Sequence, residues 1–205
     1  MDSKSIIFVA GCPGAGKDTM AQRYVIEHDY FSHFSMGDIY RQIGTGEFVS
    51  KYRDVLFNDF RQKRRSSAET TTGILFEAIV QKDFRNYIIS GFPHHLDEVN
   101  LFNSNAVHYD ISYSGVIFFD VSQSNAITRM SKRGLRPMES LKLHEGETPL
   151  KYYNRRYIEY MSQQPFLIDM LNSVYEVEYI NANGNVDEVY ANFCCKIRQK
   201  LNFQR

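Results

Sequence analysis

The stretch Ile6-Ile7-Phe8-Val9-Ala10-Gly11-Cys12-Pro13-Gly14-Ala15-Gly16-Lys17-Asp18-Thr19 decides the fold. Its five apolar residues predict a buried strand, and Asp18 to Glu27 reads as the helix that follows. Between them lies the loop Gly11-Cys12-Pro13-Gly14-Ala15-Gly16, whose glycines let successive backbone N–H groups converge on one point. The helix N-terminus adds positive potential there and Lys17 adds a full charge, so the loop is a cradle for phosphate oxygens. A glycine turn followed by a surface lysine is the competing reading. The spacing Gly-four-Gly-Lys arises by chance in roughly one chain in twenty of this length, and its position between strand and helix favours phosphate. The loop alone says phosphate or nucleotide, and leaves the reaction open.

Outward from the loop, short apolar runs alternate with helical stretches. His33-Phe34-Ser35 precedes a helix Asp38 to Ile43, and Tyr87-Ile88-Ile89 stops at Ser90-Gly91-Phe92-Pro93. Val116 to Phe119 stops at Asp120 before a helix Ser124 to Lys132. Val174 to Ile180 reads as the last strand, closed by Asn181-Ala182-Asn183-Gly184 before a helix Val186 to Leu201. This alternation predicts a parallel sheet with right-handed crossovers, and ligands in such sheets collect beyond the carboxyl ends of the strands. Functional residues are therefore expected just after Ala10, Phe34, Ile89 and Phe119. Two stretches break the rhythm. Gly44 to Val80 is charged and reads as a helical insert; Gly134 to Glu147 has no period and reads as an exposed flap.

Composition sets the outer bounds. With 205 residues, 43% of them hydrophobic, the chain fits one compact domain. Lys plus Arg (24) balance Asp plus Glu (24), so no whole-molecule field favours nucleic acid or an anionic membrane, and neither partner is expected. The longest apolar run, Ile6 to Ala10, is far short of a membrane span, and no signal-peptide core precedes it. Three cysteines make no disulfide framework, and six histidines fall in no zinc spacing. The expectation is a soluble protein of a reducing compartment, cytoplasmic and monomeric.

The loop closely resembles that of the adenylate kinases and UMP/CMP kinases, the P-loop nucleoside monophosphate kinases, in which the lysine is followed by Gly-Thr. Only Asp18 departs. A carboxylate there suits the helix dipole but lies close to anionic phosphate, where it either weakens affinity or helps to hold Mg²⁺. The resemblance covers nearly the whole chain. Ser35-Met36-Gly37-Asp38-Ile39-Tyr40-Arg41 is similar to the segment whose arginine holds the acceptor phosphate, which places Ser35, Met36 and Arg41 on the acceptor side. Arg129-Met130-Ser131-Lys132-Arg133-Gly134 resembles the segment whose first arginine packs on the donor adenine and whose second meets its phosphates. The turn containing Gly184 resembles the one beside that adenine. In the flap Arg136 stands for a lid arginine, and Arg155 or Arg156 for the arginine of the following helix; the sequence does not say which.

Departures concentrate on the acceptor side. Ser90-Gly91-Phe92-Pro93-His94-His95-Leu96-Asp97-Glu98 resembles an Asp-Gly-Phe-Pro-Arg segment ending in a base-reading glutamine. Ser90 replaces the aspartate, His94 the arginine and Glu98 the glutamine, beside Gly91. Asp120 is a candidate to replace the lost magnesium-orienting carboxylate, with Thr19 as a second metal-site residue; a plain turn residue is the other reading of Asp120. Glu98 either reads the base or points to solvent.

The resemblance implies an α/β three-layer P-loop kinase with a five-stranded parallel sheet in the order 2-3-1-4-5. Its core would comprise 1–35, 84–133 and 148–205, with an acceptor-binding insert about 36–83 and a short lid about 134–147. The implied activity is reversible transfer of the ATP γ-phosphoryl group, with Mg²⁺, to a nucleoside monophosphate, AMP-like by resemblance and GMP, UMP or CMP otherwise. Catalysis would fall to Lys17, Arg41, Arg133 and one of Arg155 and Arg156. A kinase for a non-nucleotide phosphate acceptor, or a catalytically impaired nucleotide-binding protein, remain the other readings.

Overall fold

Side chains of the first strand alternate between two cores, and that alternation builds the three layers. In the computed structural model, which describes residues 4–82, 86–140 and 142–202, β1 (Lys4–Gly11) is buried from Ser5 onward. Ile6, Phe8 and Ala10 join one apolar cluster, whereas Ile7 and Val9 join the other. Both faces of the strand are therefore covered, as its unbroken apolar run requires. Phe8 lies against Phe92, Phe102 and Tyr175 with ring centroids 5.1–5.7 Å apart. Truncating it to alanine would cost about 3–5 kcal/mol.

The sheet has five parallel strands in the order β2-β3-β1-β4-β5, as the resemblance implied. After β1 come α1 (Lys17–Glu27), β2 (Phe31–Ser35), α2 (Met36–Thr45), α3 (Arg53–Arg61), α4 (Ala68–Gln81) and β3 (Asn86–Ser90). Then follow α5 (Leu96–Ala106), a 3-10 turn at Val107–Tyr109, β4 (Ile111–Asp120) and α6 (Gln123–Arg133). The chain continues through α7 (Pro137–Ser140), α8 (Pro149–Val174), β5 (Val177–Asn181) and α9 (Val186–Asn202). Each strand ends where the sequence placed a turn: Gly11, Ser35, Ser90, Asp120 and Asn181 all lie at one edge of the sheet.

Several boundaries differ from the sequence reading: β2 starts at Phe31 and β4 at Ile111, both ahead of the apolar runs that marked them, and larger differences lie toward the C-terminus. Val174 ends α8, and β5 starts only at Val177, so the last strand is shorter at its N-terminus than the apolar pattern suggested. The helix carrying Arg155 and Arg156 was expected, but not the 26-residue length of α8, which runs through Pro165 to Val174. Proline removes one helical hydrogen bond, but the buried face made by Tyr153, Tyr157, Leu167 and Leu171 runs through it and holds both halves. Thr148 caps this helix by accepting from the Lys151 N–H, a contact worth about 1 kcal/mol. The charged insert resolves into α3 and α4, with Ser67 capping α4 through the Thr70 N–H. The flap carries one short helix, α7. Among the described residues no helix is long and apolar enough to cross a membrane.

Candidate active site

Packing holds the glycine loop in shape. Gly14 and Gly16 have φ of 85° and 93°, in the left-handed region. A Cβ on Gly11 would lie 2.6 Å from the Phe119 carbonyl oxygen, and one on Gly14 would lie 2.4 Å from that of Ala126. At Gly11 and Gly14 the loop is thus pressed onto β4 and α6 with no room for a side chain. Lys17 folds back over it, and its Nζ donates to the carbonyls of Gly11 (2.7 Å) and Cys12 (3.0 Å). Burial pushes the Lys17 pKa below the ordinary lysine value, and the Asp18 carboxylate opposes that shift. Burial pushes the Cys12 thiol up, so this cysteine is inert packing.

Arg129 braces the loop from the far side. Its guanidinium donates to the Ala15 carbonyl (3.3 Å) and the Ala182 carbonyl (2.7 Å), which ties the loop to the turn after β5. Gly184 lies in that turn, and a Cβ there would meet a Glu188 carboxylate oxygen at 2.7 Å. Asp120 is exposed at the end of β4, and its backbone carbonyl accepts from the Ala182 N–H at 2.7 Å. Thr19 is exposed on the first turn of α1.

Cations from separate elements gather around Lys17 and Asp18. Arg41 on α2 pairs with Asp38, and burial, then Arg136, lowers its pKa. Arg133 at the end of α6 reaches both carboxylate oxygens of Glu139 at 2.7 Å. Arg136 lies 4.0 Å from Asp18. The adjacent pair on α8 divides cleanly. Arg155 donates to Glu147 (2.8 Å twice), Glu159 (2.9 Å) and the Lys142 carbonyl (3.0 Å). These contacts raise its pKa and hold that of Glu147 at about 2. Among the described residues Arg156 makes no ion pair, and it lies close enough to Lys17, His94, Arg65 and Lys142 to depress each of their pKa values. Adjacent helical residues project about 100° apart. One therefore fastens the 134–147 segment to α8, while the other faces the loop.

On the acceptor side Met36 is buried, with its Cβ 3.6 Å from a Cβ placed on Gly91. Glu98 is 2% exposed, not solvated, and its Oε2 accepts from the His94 N–H at 2.6 Å. It thereby caps the start of α5. Burial, then Arg65 and Lys17, drives the His94 pKa down to about 3, so the imidazole is neutral and adds no charge. A cation is nonetheless present. Arg65, between α3 and α4, contacts the His95 ring at 2.5 Å and feels the charge of Glu98. Tyr40, pushed up to about 12 by burial, lies within the influence of the same two residues.

Asp18 lies at the centre. Its Oδ1 accepts from the Ser90 hydroxyl at 2.5 Å, and its Oδ2 accepts from the Ser35 hydroxyl at 3.5 Å. The His33 Nε2 is 3.1 Å from Ser90 Oγ and 3.8 Å from Asp18. Burial works against its charge, yet Lys17, Ser90, His33 and Arg136 together hold its pKa below the usual carboxylate range. Arg65, Tyr40 and His33 escaped the sequence reading. Arg65 was one charge in a basic run and His33 one residue of an apolar strand, and neither has a local spacing that marks it.

The AAA domain family matches residues 10–143, from the end of β1 through the short helix α7. A uridylate kinase from Saccharomyces cerevisiae (strain ATCC 204508 / S288c) is 26% identical over 203 residues, covering 98% of this chain and 94% of the relative. The UMP-CMP kinases of Gallus gallus and Homo sapiens are 29% and 28% identical over 191 residues, covering 90% of this chain and 92% of each relative. A glycine loop closed by a lysine, ringed by arginines at the carboxyl edge of a five-stranded parallel sheet, agrees with these matches. The chain belongs to the AAA domain family and, within it, is a phosphotransferase of the P-loop nucleoside monophosphate kinase type.

Proposed function

We propose that this chain transfers the γ-phosphoryl group of Mg·ATP reversibly to a pyrimidine nucleoside monophosphate, UMP or CMP. One observation carries the reading: Lys17 sits on a phosphate cradle under the influence of Arg136 from the 134–147 segment and Arg156 from α8, while Arg41 on α2 lies in reach of Asp18, Arg133 and Arg136 beside it. The AMP-like acceptor expected from the resemblance gives way to a pyrimidine, because the relatives are named for UMP and CMP. Buried Met36 supports a single-ring base, since its side chain occupies volume beside Gly91 on the acceptor side.

Catalysis is alignment and charge neutralisation, because the acceptor phosphate is itself the nucleophile. The ATP phosphates draw Lys17 off the Gly11 and Cys12 carbonyls and take the loop N–H groups. Arg129, with Gly184, frames the adenine side. Arg41 holds the acceptor phosphate, aided by Arg65 where His94 is neutral. Arg133 and Arg156 meet the charge on the transferring group. The oxygen donors near Lys17, namely Asp18, Thr19 and Asp120, suit Mg²⁺, a hard ion that keeps most of its water and rides on nucleotide phosphates. When bound, that ion neutralises phosphate charge.

Residues 36–83 act in this reading as the acceptor-binding insert and 134–147 as the lid, which shields the reaction from water. Lys142 Nζ lies 4.9 Å over the Phe60 ring, and Lys63 Nζ reaches the Leu143 carbonyl at 3.5 Å, so the two segments touch. The test is ADP formation in a coupled assay across UMP, CMP, AMP, GMP and non-nucleotide phosphates. UMP or CMP should lead in kcat/KM by about tenfold or more, the discrimination a closed site can supply. AMP at the head of the series would overturn the acceptor, and no turnover with any of them would favour a nucleotide-binding protein without catalysis.

A further inference from the structure

The two substitutions that depart most from the kinase pattern, Asp18 and Ser90, lie 72 residues apart in sequence and share one hydrogen bond. The pattern has a small residue at the first site and a carboxylate at the second; this chain has them exchanged. The surroundings fix the exchange. Ser90 is 1% exposed at the end of β3, and Asp18 stands on the first turn of α1. The Ser90 proton goes to Asp18, so the His33 Nε2 that meets Ser90 Oγ is the protonated nitrogen. A relay therefore runs from His33 through Ser90 to Asp18 and orients one carboxylate oxygen. The other oxygen looks toward Ser35 and Arg136.

A fixed carboxylate beside a phosphate cradle repels phosphate unless a cation stands between them. Asp120 offers no equivalent: it is exposed, and no side-chain hydrogen bond holds it among the described residues. We propose that Asp18, oriented by Ser90 and His33, supplies the carboxylate that receives the magnesium ion's water shell, a function moved from the end of β3 to the first turn of α1. Asp18 acts on the ion, and Ser90 and His33 are positioning residues. The proposal rests on the kinase reading above.

Relocation makes an asymmetric prediction that a purely structural Asp18 does not. Calorimetry of ATP binding with and without Mg²⁺ is run on the wild type, Asp18→Asn, Asp18→Gly, Ser90→Asp and the double variant Asp18→Gly/Ser90→Asp. In the wild type Mg²⁺ tightens ATP binding. In Asp18→Asn and Asp18→Gly that gain falls by about tenfold, while affinity for free ATP holds or rises because a repelling charge has gone. Ser90→Asp alone places two carboxylates in contact and lowers both melting temperature and turnover. In the Asp18→Gly background the same change restores the Mg²⁺ gain and at least tenfold of the lost kcat. His33→Gln, which keeps a donor, retains most of the Mg²⁺ gain, whereas His33→Leu reduces it.

Equal loss of ATP affinity with and without Mg²⁺ in Asp18→Asn, or a double variant no better than Asp18→Gly, overturns the proposal. The two readings fail separately. A wild type that phosphorylates no monophosphate breaks the kinase reading and leaves the calorimetry to judge Asp18. An active wild type with an indifferent Asp18→Asn breaks only this inference.

Discussion

The proposed donor and acceptor halves of the site are made of different material. Around the glycine loop the binding groups are backbone N–H donors, and the loop's shape is forced by contacts to Phe119 and Ala126 that exclude any Cβ. Almost every position there keeps the family pattern: a Cβ on Gly11 or Gly14 would lie less than 3 Å from a carbonyl oxygen, and Gly16 holds a left-handed φ of 93°. Around Ser90, His94 and Glu98 the binding groups are side chains, and side chains can exchange roles across space. Arg65 stands near a His94 that carries no charge, and Asp18 holds the carboxylate that Ser90 lacks. Backbone recognition constrains sequence position by position; side-chain recognition constrains only the sum of charges and donors at a point.

Substitution on the donor side is the harshest test of that contrast. Lys17→Met should lower kcat by at least about 10³-fold with a melting temperature near that of the wild type, since Lys17 contributes only two replaceable hydrogen bonds to the loop. Unchanged turnover would remove the loop from catalysis. Next comes the α8 pair. Arg156→Ala should cut kcat by about 10²-fold or more and leave stability alone. Arg155→Ala should act through the anchoring of the 134–147 segment, with a lowered melting temperature and a higher KM for both substrates. Equal effects on kcat would erase the distinction drawn from their contacts.

Acceptor-side changes should be smaller and selective. Arg65→Ala should raise KM for the monophosphate by about tenfold while leaving KM for ATP unchanged; a rise for both would place Arg65 elsewhere. Glu98→Gln keeps one acceptor oxygen for the His94 N–H but exchanges the other for a donor. It should shift preference from CMP, which offers an amino group, toward UMP, which offers a carbonyl, by several-fold. An unmoved CMP-to-UMP ratio would mean that Glu98 is a helix cap and nothing more.

The smallest effect concerns pH. His94 binds no proton in the folded protein until about pH 3, whereas in the unfolded chain it protonates near pH 6.5. The unfolded state then holds more protons through that window, so His94 makes stability fall as pH drops from about 6.5 toward 3. The neighbours that suppress its charge are Arg65, Lys17, His95 and Arg156. Denaturant melts at pH 7.5 and 5 should therefore show a smaller loss on acidification in His94→Gln than in the wild type. Identical losses would mean that His94 is not held neutral.

Periodicity and punctuation in the chain were enough to locate the strands and give their parallel sense, while their count and order came from the family resemblance. Each strand rests on local signals, an apolar run and the glycine, serine or aspartate that stops it. The phosphate loop was legible for the same reason: its function is carried by consecutive residues. The full length of helix α8 was not, because Pro165 imitates a stop and only the buried tyrosines and leucines on one face override it. Nor could the sequence choose between Arg155 and Arg156, or say that Glu98 is buried. Glu159 and His94 lie only four residues from their partners Arg155 and Glu98, but the turn that brings Glu147 to Arg155 and the packing that buries Glu98 belong to the folded chain. The pairing of Asp18 with Ser90 is the clearest such case. Each looks like a defect when read along the chain, and together, at 2.5 Å, they form one oriented carboxylate, because hydrogen bonds and charge act through distance in space and not through sequence.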